Sequence, residues 1–105
     1  MLPTISDAME HLGIDYADNV VEKNVKRALD TAIQILYGSI GQDVETYLPD
    51  DSRVNELVLI YVDDLYSERG VSAKVSGATR QLVHTMEWQL RLELIAAREA
   101  GEADV

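Results

Sequence analysis

The chain has 105 residues, room for one modest hydrophobic core and no more, since a chain of this length buries only about two thirds of its unfolded surface. Hydrophobic residues make up 47% and charged residues 27%, a balance that folds and is too apolar for a disordered segment. Nineteen acidic against nine basic residues leave a formal net charge of −10, which speaks against tight binding of DNA phosphates, and the lack of cysteine excludes disulfides and thiolate chemistry.

The first element is short. In "PTISDAMEHLG", Thr4 is an N-cap candidate with Asp7 three residues on, Ile5, Ala8, Met9 and Leu12 come after it at helical spacing, and Gly13 is a stop. "IDYADN" is a turn in which Asp18 or Asn19 caps the next helix. From Val21 the apolar positions Val25, Ala28, Leu29, Ala32, Ile33 and Leu36 run without a break in an i, i+3, i+4 series that ends at Gly38. "GSIGQDVETYLP" keeps Ile40, Val44, Tyr47 and Leu48 in register, but Gly38 and Gly41 weaken it and Pro49 ends it. A bend and then a short helical piece are expected there.

"DDSRVNELVLIYVDDLYSERG" begins with three candidate caps, Asp50, Asp51 and Ser52. Val54, Leu57, Val58, Tyr61 and Leu65 form one stripe, and Leu59, Ile60, Val62 and Tyr66 fill most of the rest. Only a narrow polar strip remains around Arg53, Glu56, Asp63 and Ser67. A helix so apolar belongs at the centre, covered by several neighbours. The next segment, "RGVSAKVSG", is small and flexible, with Arg69, Lys74 and Arg80 close by. It is either an exposed connector or an arm that touches a partner.

The last element, "HTMEWQLRLEL", satisfies two periods at once. Leu90, Leu92 and Leu94 alternate with Gln89, Arg91 and Glu93 as in a strand, while Met86, Leu90 and Leu94 share a helical face. The helical period explains everything from Ser76 to Arg98, the strand period only a few residues, so a helix is expected. Leu82, Met86 and Leu90 then join Leu57, Tyr61 and Leu65 as expected core. Leu92 falls on the opposite side with Trp88 and Ile95. That second stripe is covered either by another part of the domain or by another chain. The whole reads as a single all-α domain over residues 1–105, a bundle of about four main helices with a flexible loop before the last and a disordered tail from residue 99.

Catalytic and metal-binding constellations are not expected. His11 and His84 lie far apart and read as surface or core histidines. Asp63 and Asp64 project in two directions from a helix and make no dyad by themselves. Gly38-Ser39-Ile40-Gly41 lacks the flanking strand and the lysine of a phosphate loop. No apolar run approaches the 18 or so residues of a membrane span and no basic segment leads into a hydrophobic one. The expectation is a non-enzymatic protein without cofactor or metal, made in a cytoplasm, away from membranes.

Taken in order, "TISDAMEHLGID", a long helix ending "AIQILYG", an apolar helix closing "VDDLYSERG" and a last helix closing "QLRLEL" resemble the small helical head–tail connector proteins of long-tailed bacteriophages, the QLRG-type DNA-packaging family. The likeness spans Thr4 to Leu94. Its most specific parts are Leu65-Tyr66-Ser67-Glu68-Arg69 and Gln89-Leu90-Arg91-Leu92, where Leu92 stands in place of the family's Gly and Ser67 in place of a common Glu. The resemblance implies a virion protein that docks after DNA packaging as a ring of about twelve copies beneath the portal protein. There it extends the DNA channel, lets DNA pass without specific binding, and offers a surface to a tail-side connector or stopper. Trp88, Leu92 and Ile95, with Val71, Lys74 and Val75 of the loop, are the expected contacts to neighbouring subunits and the portal. The loop is expected to order only on such contact. Two other readings of the residues stay open: a small acidic regulatory binder that mimics DNA, and, more weakly, a hydrolase working through Asp63, Asp64 or Glu68.

Overall fold

The computed structural model describes residues 2–16, 18–67 and 77–103. These form helices α1 (Ile5–His11), α2 (Asn19–Ser39), α3 (Val44–Tyr47), α4 (Ser52–Ser67) and α5 (Gly77–Ala103), with no strand among the described residues. The all-α class read from the spacing is what is observed, α3 being the short helical piece before Pro49.

Local chemistry sets most boundaries. Thr4 and Asp7 close a reciprocal capping box: the Asp7 N–H donates to Thr4 Oγ1 (3.2 Å) and the Thr4 N–H to the Asp7 carboxylate (2.9 Å). Gly13, at φ +75°, reverses the chain after α1, so that the Gly13 and Ile14 N–H groups satisfy the carbonyls of Glu10 and Met9. Asp18 caps α2 by accepting from the N–H groups of Val20 and Val21. Of the three candidate caps before α4, the carboxylate of Asp51 accepts from the Arg53 N–H at 2.9 Å.

The expected stop at Gly38 comes late. α2 passes through that residue to Ser39, and the sharp turn falls at Gly41, whose φ of +153° is costly for residues with a side chain. A glycine costs a helix interior only about 1 kcal/mol, and burial of Leu36 and Ile40 on either side holds the turn in place. A Cβ at Gly41 would also collide with Leu94 and Arg98 of α5, at 2.7 Å from each. The chain bends there because the last helix lies against it.

α2 and α4 supply most of the core. Val25, Leu29, Ala32 and Leu36 of the first, and Val54, Leu57, Val58 and Val62 of the second, are all buried. The small Ala28 and Ala32 allow close approach of the two helices. α1 packs on both, and α5 packs on α4 and α3. Asn55 and Leu59 of α4 line a groove with α1, whereas Ile60 and Asp64 line one with α5. At 100° per residue these sets lie on roughly opposite sides of α4. The two outer helices therefore flank a central pair.

Two expectations are corrected. Leu57, Met86 and Leu90 are buried and Tyr61 and Leu65 half-buried, but Leu82 is 54% exposed. Positions four apart drift about 40° around a helix at each step, so the series 82, 86, 90, 94 winds off the core face, and Val83 rather than Leu82 is half-buried. The tail expected from residue 99 is helical as far as Ala103, with Gly101 against the Tyr47 ring of α3. The second expected break, Arg69 to Gly77, lies outside the described residues except for Gly77, which begins α5.

Candidate assembly face on the last helix

One side of α5 is held firmly to the rest of the domain. Met86, Leu90 and Leu94 are buried in the common core, and polar bonds run along both edges of that contact. Arg53, at the start of α4, makes two charge-assisted bonds to the Glu93 carboxylate (2.6 and 2.8 Å), one to Gln89 (3.2 Å) and two more to Asp51. The Arg91 Nε donates to the carbonyl of Ser39, at the end of α2. Arg98 binds Asp43, just before α3, through Nε (2.6 Å) and Nη2 (2.5 Å). With Arg53 paired to Glu93 and Tyr61 to Glu87, α5 runs antiparallel to α4.

These bonds shape the electrostatics. The Arg53 guanidinium holds the carboxyls of Asp51 and Glu93 below the usual carboxylate range, against a smaller opposing effect of burial. Arg98 does the same for Asp43. Glu87 is only 8% exposed and accepts a bond from the Tyr61 hydroxyl, while burial, and after it that carboxylate, pushes the Tyr61 phenol well above its ordinary value. The carboxylate has a second neighbour in His84, whose Nδ1 is 3.6 Å away. This buried carboxylate on the core face of α5, one turn from His84, was not expected from the sequence. Its signal was there in the position of Glu87, four residues after Val83 and three before Leu90.

The other side of α5 is bare. Trp88, Leu92 and Ile95 are 61%, 51% and 48% exposed. Leu92 sits about 190° around the helix from the centre of the buried face, with Trp88 and Ile95 beside it. Of the two covers the sequence allowed for this stripe, packing beneath another part of the same chain is not seen among the described residues. Large apolar side chains grouped in this way on a small domain mark an interaction surface more often than an ordinary one. By helical position Arg80, His84 and Arg91 run along one edge of the stripe, Arg80 and His84 exposed and Arg91 half-buried. The expected loop contacts Val71, Lys74 and Val75 lie outside the described residues.

A second surface, unforeseen from the sequence, lies across the domain. α1, the turn after it and the start of α2 form an open groove lined by Met9, Ile14 and Tyr16 together with Glu10, Asp15 and Glu22. Tyr16 is 57% exposed. No periodicity in "IDYADN" announces this groove, because it exists only where α1 folds back beside the start of α2.

His11 and His84 are both exposed, and no group of three or more His, Cys, Asp or Glu residues among the described ones could hold a metal. Asp63 is half-buried and Asp64 exposed on successive positions of α4, with no bond joining them among the described residues. No helix among the described residues is long and apolar enough to cross a membrane. Compared with known proteins, the chain matches no family model, no curated protein and no solved structure. The likeness to phage connectors rests on four short segments of sequence alone.

Proposed function

We propose that this chain is a non-enzymatic virion protein. It assembles as a ring beneath a bacteriophage portal, extends the DNA channel and joins head to tail once the genome is packaged. The observation that carries the reading is the stripe of Trp88, Leu92 and Ile95 on the outer face of α5, in a domain whose core is already complete without it. Subunits of a closed ring must offer one another apolar area they cannot bury alone.

The segment that gives the resemblance has a physical sense in such a role. In Gln89-Leu90-Arg91-Leu92, the first three side chains fasten α5: Gln89 accepts from Arg53, Leu90 fills the core and Arg91 bonds to the end of α2. Leu92 points away from that contact. The motif is a helix anchor with an outward apolar residue after it. A net charge of −10 suits a channel lining that lets DNA slide without holding it. Partners under this reading are further copies of the chain, the portal and a tail-side connector.

Electron microscopy of the purified protein, alone and mixed with a portal, is expected to reveal rings. Infection by a phage lacking a working copy is expected to yield filled heads that leak DNA and carry no tails. Normal tailed particles from that infection would refute the reading, and binding of the acidic monomer to a DNA-binding enzyme would favour the DNA mimic instead.

A further inference from the structure

Copies of a chain with a net charge of −10 repel one another, so any contact between them is most favourable where opposite signs are brought together. The outer face of α5 offers such a place. Its apolar stripe is edged by the exposed Arg80, one of the few cations in the chain. The groove beside α1 carries the matching features: apolar Met9, Ile14 and Tyr16 together with three carboxylates, Glu10, Asp15 and Glu22, in its lining. The two surfaces lie on the helices that flank the central pair from opposite sides, so neither can reach the other within one molecule.

We infer that the α5 stripe of one copy docks into the α1 groove of the next, Trp88 and Leu92 against Tyr16 and Ile14, with the exposed Arg80 facing Glu10, Asp15 and Glu22. This deepens the ring reading and rests on it, by naming which surface receives the stripe. The contact is heterologous: each copy uses one surface as donor and the other as acceptor, which leaves both free for two different neighbours. A self-complementary contact of stripe against stripe would bring like charges together and stop at a dimer.

Mixing two assembly-deficient variants tests the contact directly. Leu92→Glu spoils only the donor surface and Tyr16→Glu only the acceptor, and both residues are largely exposed, so the fold, checked by circular dichroism, is expected to persist. In sedimentation at high concentration each variant alone is expected to be monomeric, with self-association weakened about 30-fold or more. An equimolar mixture is expected to form a dimer of twice the 11.7 kDa chain and nothing larger, because one intact donor meets one intact acceptor. Reversing a groove charge through Glu22→Arg is expected to weaken wild-type association, and Arg80→Glu in the same chain to restore part of it. Loss of assembly in Leu92→Glu but not in Tyr16→Glu, or a mixture that stays monomeric, overturns this docking while leaving a ring built on the stripe intact. A wild-type chain that stays monomeric both alone and with a portal overturns the ring reading and the docking together.

Discussion

Leu90 and Leu92 are two residues apart on one helix, yet their truncation to alanine should give opposite results. Leu90 is fully buried, in the core cluster that also holds Met86, Leu94 and, from α4, Leu57 and Val58. Truncation removes its isopropyl group from the core and leaves a cavity that helices fastened on both edges cannot close, a loss of about 2 to 5 kcal/mol. For a domain of this size each kcal/mol lowers the melting temperature by about 4 to 8 °C, so a mid-range loss lowers it by roughly 10 to 25 °C. Leu92 is already 51% exposed. Its truncation forfeits at most half of the roughly 2 kcal/mol that full burial of a leucine brings, and alanine's higher helix propensity returns some of that. Urea denaturation of dilute protein, monitored by circular dichroism, separates the two: the Leu90→Ala midpoint should fall sharply with m unchanged, and the unfolding free energy of Leu92→Ala should change by less than about 1 kcal/mol. Equal losses at the two positions, or a near-neutral Leu90→Ala, would show that the helix faces are misassigned.

Acid should weaken the attachment of α5. Asp51, Glu93 and Asp43 have folded pKa values held below their ordinary 3.8, 4.5 and 3.8 by Arg53 and Arg98; a lowered carboxylate contributes stability that is present above its unfolded value and is lost as pH falls through the folded one. The urea midpoint is thus expected to hold down to about pH 4.5 and to decline below it, and the double variant Arg53→Gln, Arg98→Gln should decline less; an unchanged slope would remove these pairs as the cause. Gly41→Ala should destabilise by more than about 1 kcal/mol, since it joins an unfavourable φ to a clash with Leu94 and Arg98. The companion Gly38→Ala, where a Cβ meets nothing within 4 Å and the backbone is helical, should be neutral or stabilising by thermal melting; the reverse order would place the bend at Gly38 after all.

Much of this protein was determined locally, and so was legible in its letters. Thr4 with Asp7, Asp18 before an apolar series, and Asp51 ahead of Val54 each satisfy orphan N–H groups within three residues of themselves, so the helix starts needed no knowledge of the rest of the chain. The helical period likewise sufficed to place Leu92 opposite Leu90. What it could not supply was the neighbour. A stripe of Trp88, Leu92 and Ile95 looks the same in sequence whether a loop covers it or solvent does, and it is the packing of α5 on α4 and α3, on the other side, that leaves it exposed among the described residues. The same holds for Leu82, which a strict i+4 series puts in the core and a 3.6-residue helix carries out of it. The bonds of Arg53 to Glu93 and of Arg98 to Asp43 join residues 40 and 55 apart, and they exist only because α5 returns antiparallel along α4. The spacing put the end of α2 at Gly38, and only the packing of α5 against Gly41 shows the turn falling three residues later. The acidic groove beside α1 is tertiary altogether, since its lining comes from two helices and a turn that share no period, brought together by the reversal at Gly13.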